Sequence, residues 1–294
     1  MKRLFLLTCA LALVVSASGV AQVSAGPFGT DITIYDKSKQ GTYPNWRNRG
    51  ENPGEDQEVE PNAITGQRWD MEGFQLQGNS LSIIAGFDLA NGTNPNVGPQ
   101  LLGSLFLKVG PTPPAYGLPA NAGTDDNHNV WFNNAILPNG GQWNYDYAVV
   151  FTSFNPGGVN ASTYDVYQAL PGSQVIMHGI SGGMNTMEES NPWKILDSTW
   201  NKILANQTFT YLTGLNDAQA GYNGLDPDGN TYPHNVIQGV NLAFLGAYVN
   251  NFWAHITMDC GNDNLMGHVV PIPGAWLLLG SGLVGLAGLR LRRK

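Results

Sequence analysis

The sequence predicts an all-β protein: a single β-sandwich or jelly-roll-like domain of many short antiparallel strands, with a barrel as the alternative closure. Three observations lead there. Runs of β-branched and aromatic residues are short and recur between turn signals. Gly and Pro are abundant, with 37 and 18 copies, and Asn-Gly, Pro-Gly and Asp-Gly pairs separate the runs. Charged residues make up only 12% of the chain, and no charge-rich linker divides it, so one domain is expected.

Ten runs read as strands: DITIYD (31–36), SLSIIAGFDL (80–89), GSLFLKV (103–109), NVWFNNAIL (129–137), YDYAVVFTSF (145–154), STYDVYQAL (162–170), SQVIMHGI (173–180), QTFTYLTGL (207–215), NLAFLGAYV (241–249) and FWAHITMD (252–259). Several alternate. In YDYAVVFTSF one face carries Tyr145, Tyr147, Val149 and Phe151, the period of two that a half-buried strand requires. One segment reads differently. Asn191-Pro192 can open a helix, and Trp193, Leu196, Trp200, Ile203 and Leu204 then fall at helical spacing, so a short helix is expected over 193–205. The same residues also read as two short strands, WKIL and KILA.

The two ends differ from the body. Lys2 and Arg3 precede an apolar run from Leu4 to Val15, and Val23-Ser24-Ala25 supplies small residues for a cut, so residues 1–25 are expected to be a secretory signal peptide. At the other end Gly274 to Leu289 carries no charge. As a helix it spans roughly 24 Å, short of the ~30 Å hydrocarbon layer, and four glycines weaken it. Arg290, Arg292, Arg293 and Lys294 follow as a basic stop, which the positive-inside rule keeps in the cytoplasm. Residues 275–289 are therefore expected to hold the chain at the membrane. The expected division is 1–25 signal, 26–265 ectodomain and 266–294 tail.

This tail resembles the PEP-CTERM class of bacterial sorting signals, nearest to the variant with a Val-Pro-Leu-Pro-Ala signature. Here the motif reads Val270-Pro271-Ile272-Pro273-Gly274, with Ile for Leu and Gly for Ala. The resemblance covers about a tenth of the chain. It implies a Gram-negative envelope protein whose partner is an exosortase-type processing enzyme, with the body then placed at the cell surface or in the extracellular matrix. In patches the body is similar to a group of exosortase-dependent surface proteins: EDQEVEP and GQRWDMEGF, SLSIIAGFDLANG, and ITMDCGNDNLMG. That group supplies no activity to carry over. The last patch places Cys260 at the end of the final strand.

Residues 26–269 hold all 22 Asp and Glu but only eight of the 14 Lys and Arg, so the body is near −14. Such a charge argues against nucleic acid and anionic lipid as partners. Cys9 lies in the apolar signal run, which leaves Cys260 as the only cysteine after its removal and permits no internal disulfide.

Candidate chemistry is sparse. ENPGEDQEVEP gathers Glu51, Glu55, Asp56, Glu58 and Glu60. In one loop Glu55, Asp56, Glu58 and Glu60 can offer the hard oxygens that Ca²⁺ takes, while a solvated acidic loop is the plainer reading. DPDGN (226–230) lacks the spacing of a calcium loop and reads as a tight turn. The histidines His128, His178, His234, His255 and His268 show no zinc spacing. ISGGM (180–184) lacks the spacing of a nucleophile elbow. Among the tryptophans, Trp46 and Trp143 lie in polar, loop-like settings and are the candidates for stacking on sugar rings; the other reading is that they pack in the core or in turns.

The expected function is a non-enzymatic exported surface or matrix protein, without a cofactor unless Ca²⁺, and in contact with exopolysaccharide. A lectin-like carbohydrate-binding module, assisted by calcium, is the alternative. A secreted glycosidase with paired carboxylates stands behind both.

Overall fold

The computed structural model describes residues 25–34, 67, 70–92, 101–114, 135–139, 144–157, 161–177, 192–222, 232–258 and 264–269. The strands are β1 (Ala25–Gly26), β2 (Gly29–Asp31), β3 (Gly73–Gln77), β4 (Ser80–Ala85), β5 (Leu105–Val109), β6 (Ala135–Pro138), β7 (Tyr147–Ser153), β8 (Ser162–Gln168), β9 (Gln174–Met177), β10 (Lys194–Ile195), β11 (Asn201–Leu215), β12 (His234–Asn241), β13 (Phe252–Thr257) and β14 (Asn264–Val269). The single α-turn among the described residues is α1 (Asp217–Ala220). The chain is thus mostly β, as its patterning predicts. No helix among the described residues is long and apolar enough to cross a membrane.

Eleven strands form one antiparallel sheet in the order β1-β2-β3-β4-β12-β11-β8-β7-β5-β13-β14. The sheet curls until its ends meet. Past β2, Ile32 donates its N–H to Phe74 on β3 at 3.0 Å, while Ile34 donates to Met266 and His268 donates to Ile32, at 2.9 and 2.8 Å. The stretch 32–34 is therefore bonded on both sides, and neither β3 nor β14 is left with an open edge there. Closure needs side chains that alternate between an inside and an outside. In β13, Phe252, Ala254 and Ile256 face the interior with Leu105, Leu107, Val149, Phe74, Ile83 and Ile237, and all are buried. The interior is a packed core.

The outer wall carries two covers. The small sheet β10-β9-β6 lies over Phe106, Tyr145, Ala148 and Tyr167, and contributes Val175 and Ile195. The second cover is α1 with Tyr222, over Ile84 of β4 and Val236 of β12.

Two expected elements are corrected. The segment 193–205 is not a helix: it is β10, a 3₁₀ turn at Asp197–Thr199, and the start of β11. Its apolar residues serve two cores. Trp200 and Ile195 pack beneath the small sheet, whereas Ile203 packs on the main interior. The backbone is claimed by strands, with Trp193 donating to Ile176 and Leu196 to Gln174 at 2.9 and 3.0 Å. Tertiary pairing overrides the helical spacing. The run 241–249 is not a strand either. After Asn241 it forms 3₁₀ turns over Ala243–Asn250, kinked at Gly246. Asn241 starts the turn by accepting the Ala243 N–H on its side chain at 3.0 Å, and Leu245 is buried. Finally, β13 is followed by β14, so Cys260 falls between two strands and not after the last one. β14 carries the wall to Val269.

Candidate functional site

The second cover hides a polar network that the sequence does not advertise. His234 opens β12, opposite Leu215 at the end of β11. Directly after β11, Asn216 and Gln219 form a capping box: each side chain accepts the other's backbone N–H at 3.0 Å. This box fixes α1 and aims Asp217 at the imidazole. On the other side, the backbone carbonyl of Asp70 accepts the N–H groups of Gly86 and Phe87 at 3.0 and 3.2 Å, which pins the approach to β3 and places Glu72 beside His234.

The resulting geometry is a carboxylate–imidazole–carboxylate chain. Glu72 Oε1 lies 2.5 Å from His234 Nδ1, and Asp217 Oδ1 lies 3.2 Å from His234 Nε2. The Gln67 amide donates to the same Glu72 oxygen and sits 3.2 Å from His234 Nδ1. His234 and Gln67 are fully buried and Glu72 is 1% exposed, whereas the side chain of Asp217 is 46% exposed. The network thus runs from solvent into the protein. Two bare backbone positions make room for it. A Cβ at Gly73 would meet the Tyr222 ring and hydroxyl, and a Cβ at Gly86 would meet the backbone and amide of Gln67.

The electrostatics follow from burial and from the two carboxylates. Desolvation pushes the Glu72 carboxyl above its ordinary value, and the His234 partner only partly offsets this. For His234 burial works downward, but the hydrogen bonds and charges of Glu72 and Asp217 outweigh it and hold the imidazole above its ordinary value. Both directions mean that the folded pair holds protons more tightly than the same groups do in an unfolded chain. With a separate carboxylate on each ring nitrogen, the arrangement favours a proton on the imidazole. It is not a metal ligand set, and among the described residues no group of three His, Cys, Asp or Glu is placed to hold an ion.

The residues singled out in the sequence lie elsewhere. Glu55, Asp56, Glu58 and Glu60, Trp46 and Trp143, Val270 to Gly274, and Arg290 to Lys294 all fall outside the described residues, as do Cys260, His128, His178 and the 226–230 turn. Of the remaining histidines, His255 is buried beside the Phe106 and Tyr145 rings, at 6.0 and 5.8 Å between ring centroids. His268 stacks on Trp253 at 3.5 Å across β13 and β14, and burial pulls its imidazole below the ordinary value. Trp200 is buried, and Trp193 and Trp253 are half-buried. The described tryptophans therefore pack against the fold.

The signals that could have exposed the network are Asn216–Gln219, a readable capping box, and the interrupted strand HNVIQGVN, whose Asn, Gln and Gly mask its alternation. Compared with protein-family models, with curated proteins and with solved structures, the chain matches none.

Proposed function

We propose that this chain is a non-enzymatic, exported surface or matrix protein whose β body is a scaffold for display. The observation that carries the reading is the order of segments: an acidic β body, then Val270-Pro271-Ile272-Pro273-Gly274, then an apolar run, then Arg290, Arg292, Arg293 and Lys294. In this reading residues 275–289 hold the chain at the membrane until an exosortase-type enzyme processes it. The fold is compatible with that use. Among the described residues the main sheet closes on itself through 32–34, which covers the facing edges of β3 and β14 there, and its interior is filled by side chains such as Phe74, Ile83, Leu107 and Ile256. We read the architecture as a barrel carrying a small second sheet, which shares the face-to-face layering of a sandwich at that one place.

The test is mass-spectrometric mapping of the C-terminal peptide in protein taken from native cells and their medium. A terminus within 271–275, on protein in the envelope or matrix, is expected. Protein that keeps residues 276–294 and stays in the inner membrane would overturn the reading in favour of a plain anchor.

A further inference from the structure

We propose that Glu72, His234 and Asp217 form a proton-operated latch, which holds α1 and Tyr222 against the outer wall at neutral and acid pH and releases them as the solution becomes alkaline. The proposal stands on the geometry. One imidazole is gripped by two carboxylates that belong to different parts of the chain, one ahead of β3 and one on α1. With the proton present, a single positive ring bonds both. Without it, a neutral imidazole has one N–H to donate and one lone pair that faces a carboxylate oxygen. One of the two links then becomes repulsive. Asp217 is the member at the surface, so its link is the one that water can replace.

The groups around the ring agree with this assignment. Among the described residues, the approach to β3 brings Glu72 and Asp70, and the amide of Gln67 sits with them. The α1 turn and its continuation bring Asp217 and Tyr222. β11 brings Leu212 and Leu215, and β4 brings Ile84, which add no charge. The carboxylates of Glu72 and Asp217 both bear on the ring, so the imidazolium is the charge that joins them. The directions of the Glu72 and His234 shifts support the same sense, since both groups hold protons more firmly in the closed form.

The latch has something to release. The cover is a four-residue turn with one buried alanine, Ala220, seated with Tyr222 over Ile84 and Val236, and Phe28 packs at its rim. Pro27 lies so close to Gly221 that a Cβ there would meet its ring. Opening therefore exposes an apolar strip on the wall and loosens the first strands of the body together.

The experiment is amide hydrogen exchange on the full chain between pH 6 and pH 9. Rates are divided by the intrinsic base-catalysed rate, so that only protection factors are compared. The reporters are the amides of Ala220 and Gly221, which donate to Asn216 and Asp217 at 2.9 and 2.7 Å. Their protection is expected to fall tenfold or more across this range, while Ala254 in β13 keeps its own. Asp217→Asn, a change of one half-exposed side chain, should remove most of the step. His234→Gln should abolish it. A flat profile in the unaltered protein would overturn the proposal. So would an equal fall at Ala254, which signals global opening, or a full step retained in Asp217→Asn.

Discussion

The two covers on the outer wall solve one problem in opposite ways. Beneath the small sheet β10-β9-β6, the wall presents Phe106, Tyr145, Tyr167 and Trp200, and the rings lock together. Phe106 and Tyr145 sit 4.7 Å apart, with Trp200 at 6.4 Å from Phe106. The polar atom at this place is satisfied locally, since the Trp200 indole N–H donates to the Gln174 carbonyl at 2.7 Å. Beneath α1 the wall presents an imidazole and a carboxylate, and the apolar partners are fewer. The first cover is held by area and dispersion, which do not respond to pH. The second depends on a charge state. A β wall can thus carry a permanent lid and a conditional one on the same face, and the side chains beneath each lid decide which it is.

The comparison breaks most sharply at Trp200. Trp200→Ala removes a buried indole and one of the two hydrogen bonds to the Gln174 carbonyl, which keeps the Leu196 N–H, and should cost about 3–5 kcal/mol. Urea unfolding should show the same loss at pH 6 and at pH 9. A loss that changes with pH would mean that the two covers are coupled.

Next in size is Glu72→Ala. It leaves His234 buried with the half-exposed Asp217 as its remaining charged partner among the described residues, and should cost about 3 kcal/mol. Replacing both members, Glu72→Met with His234→Leu, should restore stability to within about 1 kcal/mol of the unaltered protein, because well-packed apolar residues replace a buried pair without penalty. Denaturant midpoints of the single and double variants measure this. A double variant weaker than Glu72→Ala would show that the pair contributes more than it costs to bury.

The pH dependence sharpens the same contrast. Both folded-state values are raised. The stabilisation from His234 is therefore complete below the ordinary imidazole value of about 6.5, and is lost as pH rises through the higher folded value. That from Glu72 is complete below the ordinary carboxyl value and is likewise lost on the way up. The unaltered protein should lose stability from pH 6 to pH 9, and the Met/Leu double variant should lose less. Thermal midpoints across that range decide it, and equal slopes would remove the network from the account.

Much of this architecture is legible in the sequence, and the failures are informative. Alternation located β4, β5, β7, β8 and β13, because each puts one apolar face on the interior. It missed β3, β12 and β14. GFQLQ and NLMGHV carry glycine where a neighbouring chain approaches closely, and HNVIQGVN carries polar residues outward toward the second cover. It misread 193–205 because a spacing of three and four also arises when successive residues serve two cores in turn. Glu72, His234 and Asp217 are separated by 145 and 17 positions along the chain, so no local motif unites them. The register of β11, β12, β4 and β3 brings them together.

The smallest effect concerns the part of the site that is local, the capping box. Asn216→Ala deletes an N-cap acceptor and should cost about 1 kcal/mol. The question is where that loss appears. In a rigid lid it would lower global stability and shift the urea midpoint. In a conditional lid α1 already opens below the global transition, so the loss should fall on the local equilibrium alone. Protection at Ala220 and Gly221 is then expected to drop about fivefold at pH 6, the value that 1 kcal/mol corresponds to, with the urea midpoint unchanged. Asn216→Asp should preserve protection, since its carboxylate accepts the same N–H and suits a helix start. Should Asn216→Ala move the midpoint and the local protection together, α1 unfolds only with the whole wall, and the distinction between the two covers disappears.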